Sequence, residues 1–183
     1  MKDKKKNIFI IGYMGSGKTT VGEVLAQLTN RDFMDMEMVI EKEQSMPVRT
    51  MFMKYGEHSF RNHEAQLLDK LVAENDTEYS KKNNIISCES GIIQDDANLR
   101  ILDEQPVVWL DCDPDIMYER ISKNPFPPYA YFYTGERDAC REIFISQYKQ
   151  RKDSYRKVSN ITVNTGSGAS PQEIGEEIIR GIE

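Results

Sequence analysis

The chain has 183 residues, a formal net charge of −6, three cysteines and two histidines. Such a length suits a single domain, residues 1–183, in which helices cover both faces of one sheet. The acidic balance, with no basic stripe, argues against a nucleic-acid binder, and no stretch reaches membrane-spanning length.

The cluster Lys2 to Lys6 reads as a solvated tail, and it fails as a signal peptide because the apolar run behind it ends after four residues. Cys88, Cys112 and Cys140 form no C-x-x-C pair, which predicts reduced thiols and a cytoplasmic setting. His58 and His63 suit surface helix positions better than a zinc site.

The apolar run Ile8-Phe9-Ile10-Ile11 predicts a buried strand, and GYMGSGKTT follows it at once, from Gly12 to Thr20. Its spacing, G-x-x-x-x-G-K-T, is that of a phosphate-binding loop. Gly12, Gly15 and Gly17 allow backbone N–H groups to turn inward around Ser16, Lys18 is placed to reach the β- and γ-phosphates, and the Thr19 hydroxyl suits Mg²⁺. Thr20 continues into a helix marked by Val21, Leu25 and Leu28, whose positive end adds to the field on an anion.

Residues 31–37, RDFMDME, read as a second strand on which Asp35 and Glu37 share one face. These acids suit a metal-water ligand and a proton acceptor respectively. A helical pattern over 38–75 breaks at Pro47 and Gly56 and carries Phe60, Leu67, Leu68 and Leu71 as an apolar stripe. Strands follow at 84–88 and 106–111, separated by a short helix over 95–103, and Asp113-Pro114 opens another helix. Asp111 fits a metal-holding strand end, but with Asp113 it reads more plainly as a helix start.

The stretch KNPFPPYAYFYTG, 123–135, has no period and predicts a covering loop, with the lid spanning about 123–138. A helix over 139–155, a strand at 161–163 and a helix from Ser170-Pro171, with Glu173 in capping-box position, complete the chain. The alternation predicts an α/β fold with a five-stranded parallel sheet whose carboxyl-edge loops form the site. Arg151 falls on the inward face with Tyr148 and Tyr155 and calls for an anion. Arg61 either joins it on a carboxylate or makes a modest surface pair with Glu64.

As a set these residues resemble shikimate kinase over nearly the whole chain. The resemblance rests on GYMGSGKTT, FMDME, GEHSFRNHE, PVVWLDCDPD, RKDSYRKV and VNTGSGASP. It implies a nucleoside-monophosphate-kinase-like fold with a lid, using ATP and Mg²⁺ and moving the γ-phosphoryl group to a hydroxyl of a small carboxylate-bearing acceptor, shikimate by default. Lys18 and Thr19 would serve ATP and magnesium, Asp35 would hold a metal-bound water, and Glu37 would stand where the family has its catalytic aspartate. Arg61 and Arg151 would grip the acceptor carboxylate, Glu89, Ser90 and Gly91 would line the acceptor site, and Arg120 would pack on adenine beside the loop 164–171. A monomer is expected.

Three departures fall on the acceptor side. Glu37 replaces an aspartate, Glu89-Ser90-Gly91 stands for three glycines, and Asn124-Pro125 stands for an Arg-Pro of the lid, where Lys123 or Arg137 is the nearest substitute. A 1 Å misplacement of the Glu37 carboxylate costs on the order of a hundredfold in rate. A full charge on Glu89 about 5 Å from a bound carboxylate repels it by roughly 3 kcal/mol at an effective dielectric of about 20. These departures keep two alternatives open: a kinase for another hydroxy-acid or amino-hydroxy-acid, and a nucleotide-binding regulator that no longer transfers phosphate.

Overall fold

The computed structural model of the chain describes residues 6–73, 83–123, 137–166 and 168–182, the side chains of Arg137 and Asp138 excepted. The lid expectation, with Asn124-Pro125 and the Arg137 side chain, therefore lies outside the described residues.

Five strands, β1 Ile8–Ile11, β2 Asp32–Asp35, β3 Asn84–Ser87, β4 Val107–Asp111 and β5 Ile161–Asn164, form one sheet in the order β2-β3-β1-β4-β5. Every pairing is parallel. Strand β1 is central and buried throughout, as an unbroken apolar run on a two-sided sheet requires. Its alternate residues feed two cores. Ile8 and Ile10 join Val21, Leu25, Ile174 and Ile178 on one face, whereas Phe9 and Ile11 join Phe60, Leu67, Trp109 and Phe144 on the other.

Seven described helices flank the sheet: α1 Lys18–Thr29, α2 Met36–Gln44, α3 Val48–Val72, α4 Asp96–Asp103, α5 Pro114–Ser122, α6 Arg137–Val158 and α7 Pro171–Ile182. The sequence marks most of their starts. Asp95 and Asp113 each accept a backbone N–H from two residues on, and Ser170 with Glu173 closes a reciprocal capping box. Helix α3 is interrupted at Gly56, the break the sequence predicts, where φ is 79°.

Helix α1 lies close against the sheet at Gly22. A Cβ there would sit 2.4 Å from a ring carbon of Phe33 and 3.3 Å from Ile10 Cδ1. Crossovers from β1 and β3 leave toward opposite edges, so the carboxyl-end crevice between these strands is the natural ligand position. Backbone pairing carries one residue past β3, with Cys88 N–H donating to the Ile10 carbonyl at 2.9 Å. The loops after β1 and β3 thus start side by side.

The Gly22 contact makes a stability prediction. Gly22→Ala gains helix propensity but overpacks the Phe33 ring, and we expect a net loss of about 1–2 kcal/mol, roughly 2–8 °C in Tm. A melting curve unchanged or raised by the substitution would show that the helix has room to lift.

Candidate active site

The phosphate loop is closed by contacts that leave no room for side chains. A Cβ on Gly12 would lie 2.8 Å from the Leu110 carbonyl oxygen, and one on Gly15, where φ is 80°, would lie 2.6 Å from that of Met117. Helix α1 starts behind Gly17 with no side-chain cap and no acid in its first turn, which leaves its N–H groups for an anion. Lys18 Nζ donates to the carbonyls of Gly12 and Tyr13 at 3.0 and 3.3 Å. Burial lowers the pKa of this amine, and the nearby Glu89, Asp35, Cys88 and Glu37 oppose that shift. The buried Ser16 hydroxyl oxygen has no hydrogen-bond partner, and Thr20 is exposed at the start of α1.

Arg120 links this loop to the one after β5, donating to the Gly15 carbonyl at 3.0 Å and the Thr165 carbonyl at 2.9 Å. Its guanidinium is thus held against backbone at the edge of the phosphate loop. Thr165 completes the brace, its hydroxyl donating to the Ser16 carbonyl at 2.8 Å.

The expectation that Asp35 and Glu37 share a strand face is corrected. Strand β2 ends at Asp35, whose carboxylate caps α2 by accepting the Glu37 N–H at 3.0 Å, and Glu37 lies in the first helical turn. An Asp before a helical stretch gains more as a cap than as a strand residue. Both acids still act on Lys18, and Asp35 also accepts the Thr19 hydroxyl at 3.0 Å. Glu37 and Glu89 lie close enough for their carboxyl groups to influence each other. Burial first, then the negative charges of Glu89 and Asp35, push the Glu37 carboxyl up to about 8, and burial raises Glu89 as well. The repulsion of roughly 3 kcal/mol is that of a fully charged Glu89, the form that burial disfavours.

Arg61 is more than the modest surface pair its spacing suggests. Its guanidinium takes both carboxylate oxygens of the buried Glu64, at 3.1 and 2.9 Å, and Glu57 at 3.3 and 3.2 Å. Spacing places Glu64 correctly at i+3, but burial of that face encloses the pair, with Arg61 Nη1 shared between both Glu64 oxygens. Burial raises the Glu64 carboxyl to about 7, against the pull of Arg61 and, more weakly, Arg151. Gly91 makes room for this pair, since a Cβ on it would stand 2.2 Å from an Arg61 nitrogen.

The anion that Arg151 calls for is not a described protein group. This arginine makes no ion pair with a described residue, and its guanidinium carbon instead lies 5.3 Å above the Tyr13 ring centre. Its charge reaches Glu64, Tyr155 and Tyr13, and that of Arg61 reaches Glu64 and Tyr155, so both guanidiniums act on the same two groups. Tyr155, stacked on Trp109, donates its hydroxyl to the Ser90 carbonyl and so holds the loop of Glu89, Ser90 and Gly91.

Asp111 is not a helix-start residue, because Asp113 does that work. It accepts the Tyr148 hydroxyl and pairs with Lys152 at 3.3 Å, contacts that span too much sequence for local pattern to reveal. Tyr13, Gln147 and Tyr155 also escape sequence reasoning as site residues. For Tyr13 the available signal is an aromatic placed between the first glycine and Met14 of a glycine-rich loop.

Comparison with known proteins agrees with this arrangement. A family profile described as "Shikimate kinase" matches residues 14–183. The chain is 31% identical over 178 residues to a shikimate kinase of Persephonella marina, covering 97% of this chain and 99% of that protein. It is 33% identical over 176 residues to one of Bacillus cytotoxicus, covering 96% and 97%. A solved shikimate kinase of Acinetobacter baumannii in complex with shikimate superposes with a TM-score of 0.85 at 28% identity, over 98% of this chain and 94% of that one. With its phosphate loop, parallel sheet and two arginines accounted for, the chain belongs to the shikimate kinase family of ATP-dependent kinases.

Proposed function

We propose that this chain transfers the γ-phosphoryl group of ATP to a hydroxyl of shikimate, the ligand carried by the A. baumannii relative. The action of Arg61 and Arg151 on the same groups, beside Lys18 and Glu37, supports this reading most directly, because it sets two cations for a carboxylate next to a phosphate loop and a carboxyl group. One domain of residues 1–183, working as a cytoplasmic monomer on a small molecule, completes the proposal. Among the described residues no helix is long and apolar enough to cross a membrane.

The α1 N-terminus, the loop N–H groups and Lys18 hold the phosphates, with Gly12, Gly15, Ser16, Gly17, Thr19 and Thr20 in this segment and Arg120 bracing it toward the nucleotide's base. Magnesium fits this site by its donor set. No group of three or more His, Cys, Asp or Glu side chains among the described residues forms a metal cage, whereas the Thr19 hydroxyl and Asp35 carboxylate, 3.0 Å apart, suit an ion that keeps water and phosphate ligands. When bound, that ion supplies charge neutralisation on the transferring phosphate. Thr19 and Asp35, the latter through water, would hold it.

Arg151 and Arg61 orient the acceptor carboxylate, and Glu37 takes the proton from the accepting hydroxyl. Burial, with the charges of Glu89 and Asp35, raises the Glu37 carboxyl in the ligand-free protein, which makes its ionised form a stronger proton acceptor. The loop of Glu89, Ser90 and Gly91 forms the wall opposite, its backbone pinned by Tyr155.

Purified protein with ATP, magnesium and shikimate should release ADP in an acceptor-dependent manner, and Glu37→Gln should lower kcat roughly 10²- to 10⁴-fold. ATP binding without any such release would favour the regulator instead. Gly91→Ala drives a methyl into the Arg61 guanidinium and disturbs its pair with the buried Glu64, so it should lower Tm by about 4–12 °C, roughly 2–3 kcal/mol, and raise the shikimate KM about 10- to 100-fold. An unchanged KM would remove Arg61 from the acceptor site.

A pH prediction follows from the carboxyl pair in the ligand-free, metal-free protein. Because the folded pKa of Glu37 is raised from 4.5 to about 8, its favourable contribution is full below the unfolded value and is lost as pH rises through about 8. Burial is the main cause of that rise, and Glu89→Gln removes the largest of the charges that add to it. The Tm of that variant should exceed the parent's by about 2–6 °C at pH 8, and the difference should shrink toward pH 4.5. A difference constant with pH would mean that the two carboxyls do not interact.

A further inference from the structure

Tyr13, the residue just after the first glycine of the phosphate loop, is fully buried although its neighbours line an open crevice. Helix α6 encloses it: ring centres of Phe144 and Tyr148 lie 4.7 and 5.7 Å away, and its hydroxyl donates to Gln147 Oε1 at 2.9 Å. Its carbonyl accepts Lys18 Nζ at 3.3 Å and the Ser16 N–H at 3.1 Å. Over its ring lies Arg151, 5.3 Å from the centre. One residue thus touches the phosphate lysine through its backbone and the acceptor arginine through its side chain.

The two arginines differ in how they are held. Arg61 already spends its donors on Glu57 and Glu64, whereas Arg151 makes no ion pair with a described residue. A long cationic side chain with no anion samples many rotamers and pays to be ordered when a ligand arrives. A flat aromatic face is the support that orders a guanidinium without consuming its charge or its in-plane donors. The Gln147 bond fixes the ring, and Gln147, Arg151 and Tyr155 recur at four-residue spacing along one stripe of α6.

We propose that Tyr13 is a positioning residue for the acceptor, its ring holding the Arg151 guanidinium ready for the acceptor carboxylate. This rests on the reading of Arg151 as a carboxylate ligand. The ring also sets the acceptor cation in register with Lys18, which the same residue's carbonyl holds.

The test is a double-mutant cycle on the full chain with steady-state kinetics in shikimate and in ATP, and a melting curve for each variant. Tyr13→Leu removes the π-face and should raise the shikimate KM roughly 3- to 30-fold, with the ATP KM changed less than about twofold. Tyr13→Phe keeps the face and should stay within about threefold of the parent in shikimate KM. Added to Arg151→Ala, Tyr13→Leu should have little further effect. Should Tyr13→Leu fold poorly, Tyr13→Met fills similar space without a ring and carries the same expectation.

Equal rises in both KM values, or a Tyr13→Leu factor that multiplies fully onto Arg151→Ala, would overturn the proposal and leave Tyr13 a packing residue. A strong effect of Arg151→Ala with Tyr13→Leu and Tyr13→Met silent would overturn it while sparing the carboxylate reading. No effect of Arg151→Ala on the shikimate KM would overturn that reading and this inference together.

Discussion

Strand β1 is enclosed by β3 and β4 at its sides and by helices on both faces, so its chain leaves the core at one place only, the carboxyl edge of the sheet. The hydrogen bond from Cys88 N–H to the Ile10 carbonyl extends the β1–β3 pairing to that edge. Phosphate loop and acceptor wall therefore begin as neighbours. Gly12 turns the chain where a side chain would strike the Leu110 carbonyl, and the anion-binding N-terminus of α1 follows within six residues. Chemistry at this edge depends on the burial of four apolar residues.

The charge balance of the crevice follows from which groups are already paired. Lys18 is steadied by two carbonyls and by the field of Glu89, Asp35 and Glu37, which phosphate oxygens would replace. Arg61 is saturated by a buried and an exposed carboxylate, and breaking into that pair for a ligand is costly. Of the two arginines, Arg151 brings the cation that no described acid has neutralised at ion-pair distance. On the proposed reading, an entering carboxylate would gain most from the arginine held by a ring, with Arg61 adding shape and a fixed field.

What local pattern carries was legible, and what depends on distant contacts was not. The phosphate loop follows from spacing within nine residues, the caps at Asp113 and Ser170 from neighbouring identities, and the strands from apolar runs. Asp35 and Glu37 were misplaced because the same two-residue spacing serves a strand face or an N-cap, and helix α2 decides between them. Arg61 with Glu64 was visible as spacing, but the enclosure of Glu64 depends on how α3 packs. The partners of Arg151 and Asp111 come from other elements entirely, Tyr13 in the phosphate loop and Tyr148 on α6. No periodicity encodes such pairings.

Two of the acceptor-side departures meet in one contact. Glu37 reaches a methylene further than an aspartate, Glu89 stands where the resemblance expects glycine, and their carboxyls lie close enough to act on each other. Taken separately, the longer acid is a misplacement and the added acid a repulsion. Taken together, burial and mutual repulsion disfavour two full charges, so the pair presents nearer one negative charge than two. The same closeness adds to the rise of the Glu37 carboxyl, which makes its ionised form a stronger proton acceptor. An acid in place of glycine is thus compatible with transfer to an anionic acceptor, provided that the second acid faces it.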